Sequence, residues 1–544
     1  MALTKVFNRM ITGSEVIFNI ADYGAVGDHD GTSGTDDTIA IQSAVTAAQN
    51  AGGGTVIIPQ SSGYYRIDGT VTSDSTVNWF FEGGIVNVPS TGSLTINGGV
   101  ASQIFHTLIF VTPPETATNS AIKIRDADAS NRISPYVKEM SAFWFNGSAI
   151  NVRINKAYAA GEDNTVVIVP TGSHDLDGVI DLDQYDYGSH LVLRGESHIA
   201  STLNLETNAG RVGIDASNSD EAFITDIRVV ESGASRSSVG LLVGGTSLVA
   251  TNTWFGNTKY GILVNGGSGF HLDGCFVEAC DTGVMIASNF ADHDIVGMQE
   301  PGAITNCRFD RLFVYNCGKA NQLGYAGLYV TGIHAEYNIS STSGTFTVGE
   351  TVTGGTSGET MTVVSASSSE IIANDASGAF TVGETLTGGT SGATATFDSS
   401  NDNDVRDLQF SQLEARQCDR YGAHFEHCSG ITVQGHFFGN GANASSISAG
   451  AKVDDNVENI IFHGCTFADT VSSGSTSYGL DINGNNSKVV VTGCISTNDQ
   501  STDQDVGIRT DKATTVISSC ILTGNNTTAI QDDGPSPTTS ANIT

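Results

Sequence analysis

Four carboxylates, a tyrosine and an arginine in the middle of the chain are spaced as a sugar-cleaving site would need them. When "GCFVEACD", "LFVYNCG" and "LEARQCD" are set one above another, Glu278, Tyr315 and Arg416 share one position. Phe276, Phe313 and Glu414 share the position two residues earlier, with Trp254 of "NTWFGN" above them, while Asp281, Gly318 and Asp419 follow at the turn. Glycoside hydrolysis needs two carboxyl groups flanking the scissile bond, one as acid and one as base or nucleophile. If the segments are successive stacked strands, Glu278 and Glu414 are two layers apart. That is about 10 Å between backbones, which leaves room for a water as in inverting enzymes. Asp281, Asp419 and Asp310 could assist, although such acids also suit solvated turns. β-Elimination on a uronate needs instead a cation for the carboxylate and a base for the C5 proton. Arg416, Arg311 or Arg420 could neutralise, with Tyr315, His334 or His424 as base or acid. Trp254, Phe276 and Phe313 would form an outward aromatic ladder, suited to sugar rings or to a subunit interface. Neither chemistry requires a cofactor.

These residues need a scaffold that repeats. From about residue 220 the chain lays out as turns of twenty-odd residues. Each has a short alternating strand, a second strand, a polar turn and often a closing Gly-apolar-x-apolar. One inward column runs through Thr253, Cys275, Leu312, Leu413, His436, Cys465, Cys494 and Cys520, with His436 read as a satisfied core or edge histidine. Such a repeat cannot bury its inner face alone, so stacking must supply the core. The fold class expected is all-β, a right-handed parallel β-helix. Two segments interrupt it: the loop Asn289–Gly302, and residues 343–400. In the latter, "FTVGETVTGGTSG" from Phe346 returns as "FTVGETLTGGTSG" from Phe380. The duplicated stretch holds no Lys, Arg, His or Cys and reads as an inserted β module for binding, or as decoration. Helices are expected after Asp36–Asp37 and over Ala149–Ala160, each followed by a buried strand and each capping an open coil. The organisation is thus a leader (1–17), capping helix and first coils (18–145), main helix (146–342), insert (343–400), and C-terminal coils with a tail (401–544).

Composition restricts the partners. Lys and Arg total 24 against 58 Asp and Glu, a net charge of −34. That field opposes nucleic acid and anionic membranes, and a polyanionic substrate would need salt or bridging cations. With 64 Gly and 9 Pro the chain suits short strands and tight turns. No run of about 18 apolar residues predicts membrane insertion, and Met1–Ile20 lacks a secretory signal pattern. The 9 cysteines, mostly in Gly/Asn/Ser-Cys-x-apolar, read as reduced core thiols from a reducing cytosol.

The N-terminal motifs resemble the pectate-lyase-like superfamily. They are Asp22–Asp28 ("DYGAVGD"), Thr35–Thr38 ("TDDT") and Gly52–Pro59 ("GGGTVIIP"), with a small insert around His29–Gly34. The opening "MALTKVFNRMITGS" is similar to the leader of phage tailspikes. The resemblance implies a parallel β-helix and a homotrimeric spike in the virion tail, partnered with the phage tail or baseplate. Such a spike is made in the bacterial cytoplasm and acts outside on a surface glycan. The superfamily includes lyases, hydrolases, epimerases and inactive binders, so it leaves the reaction open. Lyases of this fold often use Ca²⁺, for which Asp292, Asp294 and Glu300 are candidates. The carboxylate-rich columns favour an endo-acting hydrolase over a uronate lyase; the other class is a non-catalytic glycan adhesin.

Overall fold

The computed structural model describes residues 16–540, apart from 31, 90, 103–108, 113–121, 125–138, 146, 161–165, 183–190, 206–210, 220, 234–235, 289–302, 319–325, 333–334, 375–379, 402–404, 442–446, 455–456, 473–475, 485–486, 499–503, 512–514 and 534–537. The chain divides into two compact units, Met1–Glu206 with Asp220–Val229, and Thr207–Ser219 with Val230–Thr544. Among the described residues no helix is long and apolar enough to cross a membrane.

In the first unit the helix Thr38–Asn50 buries Ile41, Ala44, Val45 and Ala48 along one face. The two acids before it divide the work. Asp36 accepts from the Thr38 amide at 3.0 Å, while Asp37 accepts from the amides of Val26 and Gly27 at 2.7 and 3.2 Å. Asp37 thereby ties the "DYGAVGD" turn to the helix. The buried strand Gly54–Pro59 pairs in parallel with Ile17–Asn19 and with Val77–Glu82. The same plan recurs in the helix Ile150–Ala160 and the strand Val166–Val169.

The second unit is the parallel β-helix. A representative coil runs His271–Asp273, Phe276–Glu278 and Thr282–Ala287. The first two strands belong to sheet A and the third to sheet B, and each pairs in parallel with its counterpart one coil on. The bends between the sheet A strands are single residues in left-handed conformation: Asn252, Gly274, Arg311, Gln412, Gly464, Gly493 and Ser519. The next residue points inward, which explains the Gly-Cys pairs: the glycine makes the bend and the cysteine fills the core. All nine cysteines are free and buried.

The inward column is Thr253, Cys275, Leu312 and Leu413, then Gly435, then Cys465 onward. His436 is therefore not on it: it pairs beside Glu414 on the outer face and is exposed. In this coil the strand Thr432–Phe438 runs straight through without a left-handed bend. That stretch is one residue shorter than its neighbours, so simple alternation puts Gly435 inward and His436 outward.

Glycines line the start of sheet B, where neighbouring coils leave little room for a side chain. A Cβ on Gly327 would lie 2.5 Å from the Cys418 sulfur and 2.6 Å from the Gly422 carbonyl oxygen. The inserted repeat forms a closed antiparallel barrel of its own, from Ala335–Ser343 to Thr394–Asn401. Tyr337, Ile339, Phe346, Val352, Met361 and their repeat mates make its core. Its two halves are locked reciprocally. Glu350 accepts from Thr390 N, Ser391 N and Ser391 Oγ at 2.7–2.9 Å, and Glu384 accepts from Thr356 N, Ser357 N and Ser357 Oγ at 2.8–2.9 Å.

Candidate functional site

The outer face of sheet A carries the columns read from the sequence. Trp254, Phe276, Phe313 and Glu414 are successive partners, as are Glu278, Tyr315 and Arg416. The aromatic rings pack on one another. Phe276 and Phe313 lie 4.7 Å apart at 13°, and Trp254 meets Phe276 edge-on at 4.8 Å. That separation equals the coil spacing, so the phenylalanine faces are turned along the helix axis and cover each other. A sugar approaching from outside would meet ring edges, whereas stacking needs faces, so this ladder suits coil-to-coil packing better than substrate binding. The acids are paired. Glu414 is ion-paired with Arg416, Asp281 with Arg236 at 2.9 Å, and Arg311 holds Asp273 through two bonds of 2.6–2.7 Å. Asp310 accepts from His271 at 2.9 Å and from Arg308. Asp419 is buried at the turn and Arg420 stacks on Tyr421. Glu278 and Glu414 lie on a diagonal, two coils and two residues apart, roughly 12 Å between Cα atoms. His334 and the acids Asp292, Asp294 and Glu300 lie outside the described residues.

A second constellation stands on the outer face of sheet B. Its strands include Ala326–Thr331, Tyr421–Glu426, Ser448–Val453, Ser477–Ile482 and Val506–Thr510. The parallel register puts Tyr329, His424, Lys452, Asp481 and Arg509 in one column. His424 lies between the rings of Tyr329 (5.1 Å, 20°) and Tyr421 (5.2 Å). Its Nε2 faces Asp454 at 3.5 Å and Glu426 at 3.7 Å. The Tyr329 hydroxyl donates to Glu426, and the Lys452 ammonium donates to Asp454. Solvent reaches the carboxylates first: Asp454 and Glu426 side chains are 22% and 20% exposed, and His424 behind them 6%.

The electrostatics assign protonation states. Burial, reinforced by the Glu426 charge, pushes the Tyr329 phenol well above its usual range, so it keeps its proton. Burial would raise Asp454, but the His424 ring facing it at 3.5 Å and the hydrogen bond and charge of Lys452 hold it well below the ordinary carboxylate value. Burial alone would lower Lys452; the neighbouring Tyr421 and Asp454 outweigh it, and the amine stays charged. His424, Glu426 and Asp454 are also of metal-ligand type, with ligand atoms within 4.8 Å of one another. Lys452 already occupies the Asp454 oxygen that faces His424, so the ammonium supplies the local cation and a divalent ion would have to displace it.

Of this group only His424 was singled out from the sequence. The signal for the others is the closing Gly-apolar-x-apolar of each turn: its x is Met285, Tyr329, His424, Lys452, Asp481 and Arg509 in successive coils. The x position turns from apolar to ionisable midway along the chain, which marks where the outer face of sheet B changes from packing to chemistry.

No protein-family profile matches the chain. Mannuronan C5-epimerase AlgE3 of Azotobacter vinelandii is 41% identical over 83 residues, 15% of this chain and 3% of the epimerase. Alginate lyase 7 of the same organism is 54% identical over 52 residues, 10% of this chain and 5% of the lyase. The chain thus spans a small fraction of the length of either relative. Among solved structures, the A-module of A. vinelandii mannuronan C-5 epimerase AlgE6 aligns over 97% of this chain and 98% of its own, at 14% identity and a TM-score of 0.37. Tailspike protein 2 of an Escherichia coli O157:H7 bacteriophage aligns over 75% of this chain and 47% of its own, at 10% identity and a TM-score of 0.43. The chain folds as a right-handed parallel β-helix.

Proposed function

We propose that the chain processes a uronate-containing polysaccharide in the sheet B groove, by chemistry that begins with loss of the proton beside the uronate carboxylate. One observation carries this reading: Tyr329, His424 and Lys452 stand on three successive coils with Glu426 and Asp454 beside them. Removing a C5 proton requires the adjacent carboxylate to be neutralised, a base within reach, and an acid to complete the reaction. Lys452 is the neutralising cation. Glu426, half-buried but more open than His424, takes the proton and becomes neutral, with His424 3.7 Å behind it. Tyr329 keeps its proton and is the acid. If the electron pair left on C5 expels the 4-oxygen, the outcome is elimination; if a proton returns to the opposite face, it is epimerisation. The two relatives are named as a C5-epimerase and a lyase, and both reactions share this first step. The setting that fits is a homotrimeric phage tail protein acting on a bacterial surface or extracellular glycan, as the N-terminal resemblance implies.

A second reading is hydrolysis by Glu426 and Asp454. Their oxygens lie within 4.8 Å of one another, near the spacing of a retaining carboxylate pair. The test is to incubate the protein with mannuronan, alginate and polygalacturonate in D₂O. Ultraviolet absorbance of unsaturated ends, deuterium at C5 and new reducing ends are then followed. Absorbance or deuterium uptake supports proton abstraction. Saturated reducing ends with neither would replace it by hydrolysis, and no change in any polymer would defeat both.

A further inference from the structure

Two coils beyond Lys452 in the same column stands Arg509, whose surroundings the reaction does not explain. Its Nε donates to Asp481 Oδ1 at 2.6 Å, and its guanidinium lies over the Tyr478 ring at 4.7 Å. Asp481 is fully buried on the intervening coil, between Lys452 and Arg509 in register. The arginine is therefore clamped at one nitrogen and on one face, with its side chain 14% exposed. Among the described residues its hydrogen bond to protein is made through Nε, and the Asp533 carboxylate adds a nearby charge without a hydrogen bond to the terminal nitrogens. A planar fork fixed in this way, with two parallel N–H donors left over, matches a carboxylate rather than a hydroxyl.

The spacing adds the second half of the argument. Lys452 and Arg509 are two coils apart, about 10 Å along the axis. In an extended diequatorial uronan, neighbouring carboxylates point to opposite sides and alternate ones to the same side. One disaccharide step is close to that distance. A chain lying along sheet B would thus present a carboxylate to Lys452 and its next same-side carboxylate to Arg509.

We propose that Arg509 is a carboxylate-reading anchor that grips the uronate two sugar rings from the one being processed. The inference rests on the groove binding a uronate polymer, as proposed above, and it assigns both the direction of the polymer and a minimum length. Oligomers that span from Lys452 to Arg509 gain a charge-assisted bidentate contact that shorter ones lack, while the bond-making groups are untouched.

The experiment is a chain-length series of defined oligomannuronates with the full chain and with Arg509→Gln, read by calorimetric binding and by steady-state kinetics. The expected result for R509Q is a loss of roughly 10- to 100-fold in affinity and in kcat/KM on long oligomers. The loss should appear as a higher KM, with kcat within threefold, and with no change on oligomers too short to reach. Carboxyl-reduced oligomers should bind the wild type and R509Q equally. Because R509Q leaves buried Asp481 unpaired, R509Q/D481N is made alongside, and it should show the same length-dependent loss in a folded protein. Equal losses on short and long oligomers, or no loss, would overturn the anchor. Arg509-dependent binding without turnover would retain it and remove the proposed chemistry; turnover indifferent to Arg509 would do the reverse.

Discussion

Replacing Lys452 by Met tests the proposed chemistry most directly. The ammonium rests on Asp454 and over the Tyr421 ring at 5.5 Å, in a recess where its side chain is 13% exposed. At an effective dielectric of ~20, an ammonium about 4 Å from a carboxylate gains about 4 kcal/mol. Part of that attraction already holds Asp454, so the share left for charge developing on the substrate is smaller. A preorganised electrostatic contact of this kind is commonly worth roughly 100- to 1000-fold in kcat. K452M should lose about that much, and K452R should recover part, because it keeps the charge with a different shape. The pH profile supplies an independent readout. Lys452 is one of the groups holding Asp454 below its ordinary value of 3.8, so without it the carboxyl titrates at higher pH. The acid limb of activity should then move up in pH. Stability should behave in parallel. The Asp454 contribution is complete above the unfolded carboxylate value and lost as pH falls through the folded one, and in K452M the loss begins earlier. Initial rates on mannuronan across pH, with melting followed by circular dichroism, check both. A folded K452M that keeps more than a fifth of wild-type activity would refute the assignment of the neutralising cation.

Other expectations follow from the same geometry. E414Q should break the pair with Arg416 on sheet A yet lower turnover less than threefold; a hundredfold loss would return the active site to that face. In the barrel, burial would raise Glu350 and Glu384, but donors from Ser391 and Thr390, and from Ser357 and Thr356, outweigh it and hold both at about 2. The latch should therefore be complete above about pH 4.5 and fail as pH approaches 2, and E350Q or E384Q should each cost roughly 2–3 kcal/mol of barrel stability by amide exchange. Gly327→Ala should destabilise the coil by about 1–3 kcal/mol or more, since Cys418 and Gly422 leave its Cβ no room; an unchanged melting temperature would contradict the narrow interior.

The columns of sheet A were legible in the sequence because two local rules fix them. Strands alternate with period two, and a single left-handed residue precedes each inward side chain, so Gly274–Cys275 and Gly464–Cys465 announce their own register. His436 escaped because its coil omits that bend. Nothing in "GITVQGHFFGNG" states that the two strands have fused, and only its pairing with Glu414 on one side and Thr466 on the other settles it. The sheet B site escaped for a different reason. Its strands are buried almost throughout, as in Ala326–Thr331, and each gives the column a single ionisable residue among mostly apolar ones, so the column emerges only when successive turns are compared. Burial raises the Tyr329 phenol, whereas at Asp454 and Lys452 the groups packed beside them outweigh burial.

The two faces solve opposite problems with similar residues. On sheet A, Arg416 with Glu414 and Arg311 with Asp273 are short-range pairs at a half-open surface, each charge cancelled by a neighbour. On sheet B Lys452 pairs with Asp454 two residues along while its neighbour in the column is buried Asp481, and Arg509 reaches back one coil to that same Asp481. A staggered chain of pairs leaves donors unclaimed at its open side, which a set of closed pairs cannot do. In a protein with a net charge of −34, a polyanion gains entry only where such donors are concentrated. Moderate salt should then speed turnover on long uronans by screening the distant acids more than the half-buried column. A rate that falls steadily from the lowest salt upward would mean that the groove cations, and not the surrounding acids, dominate the approach of the polymer.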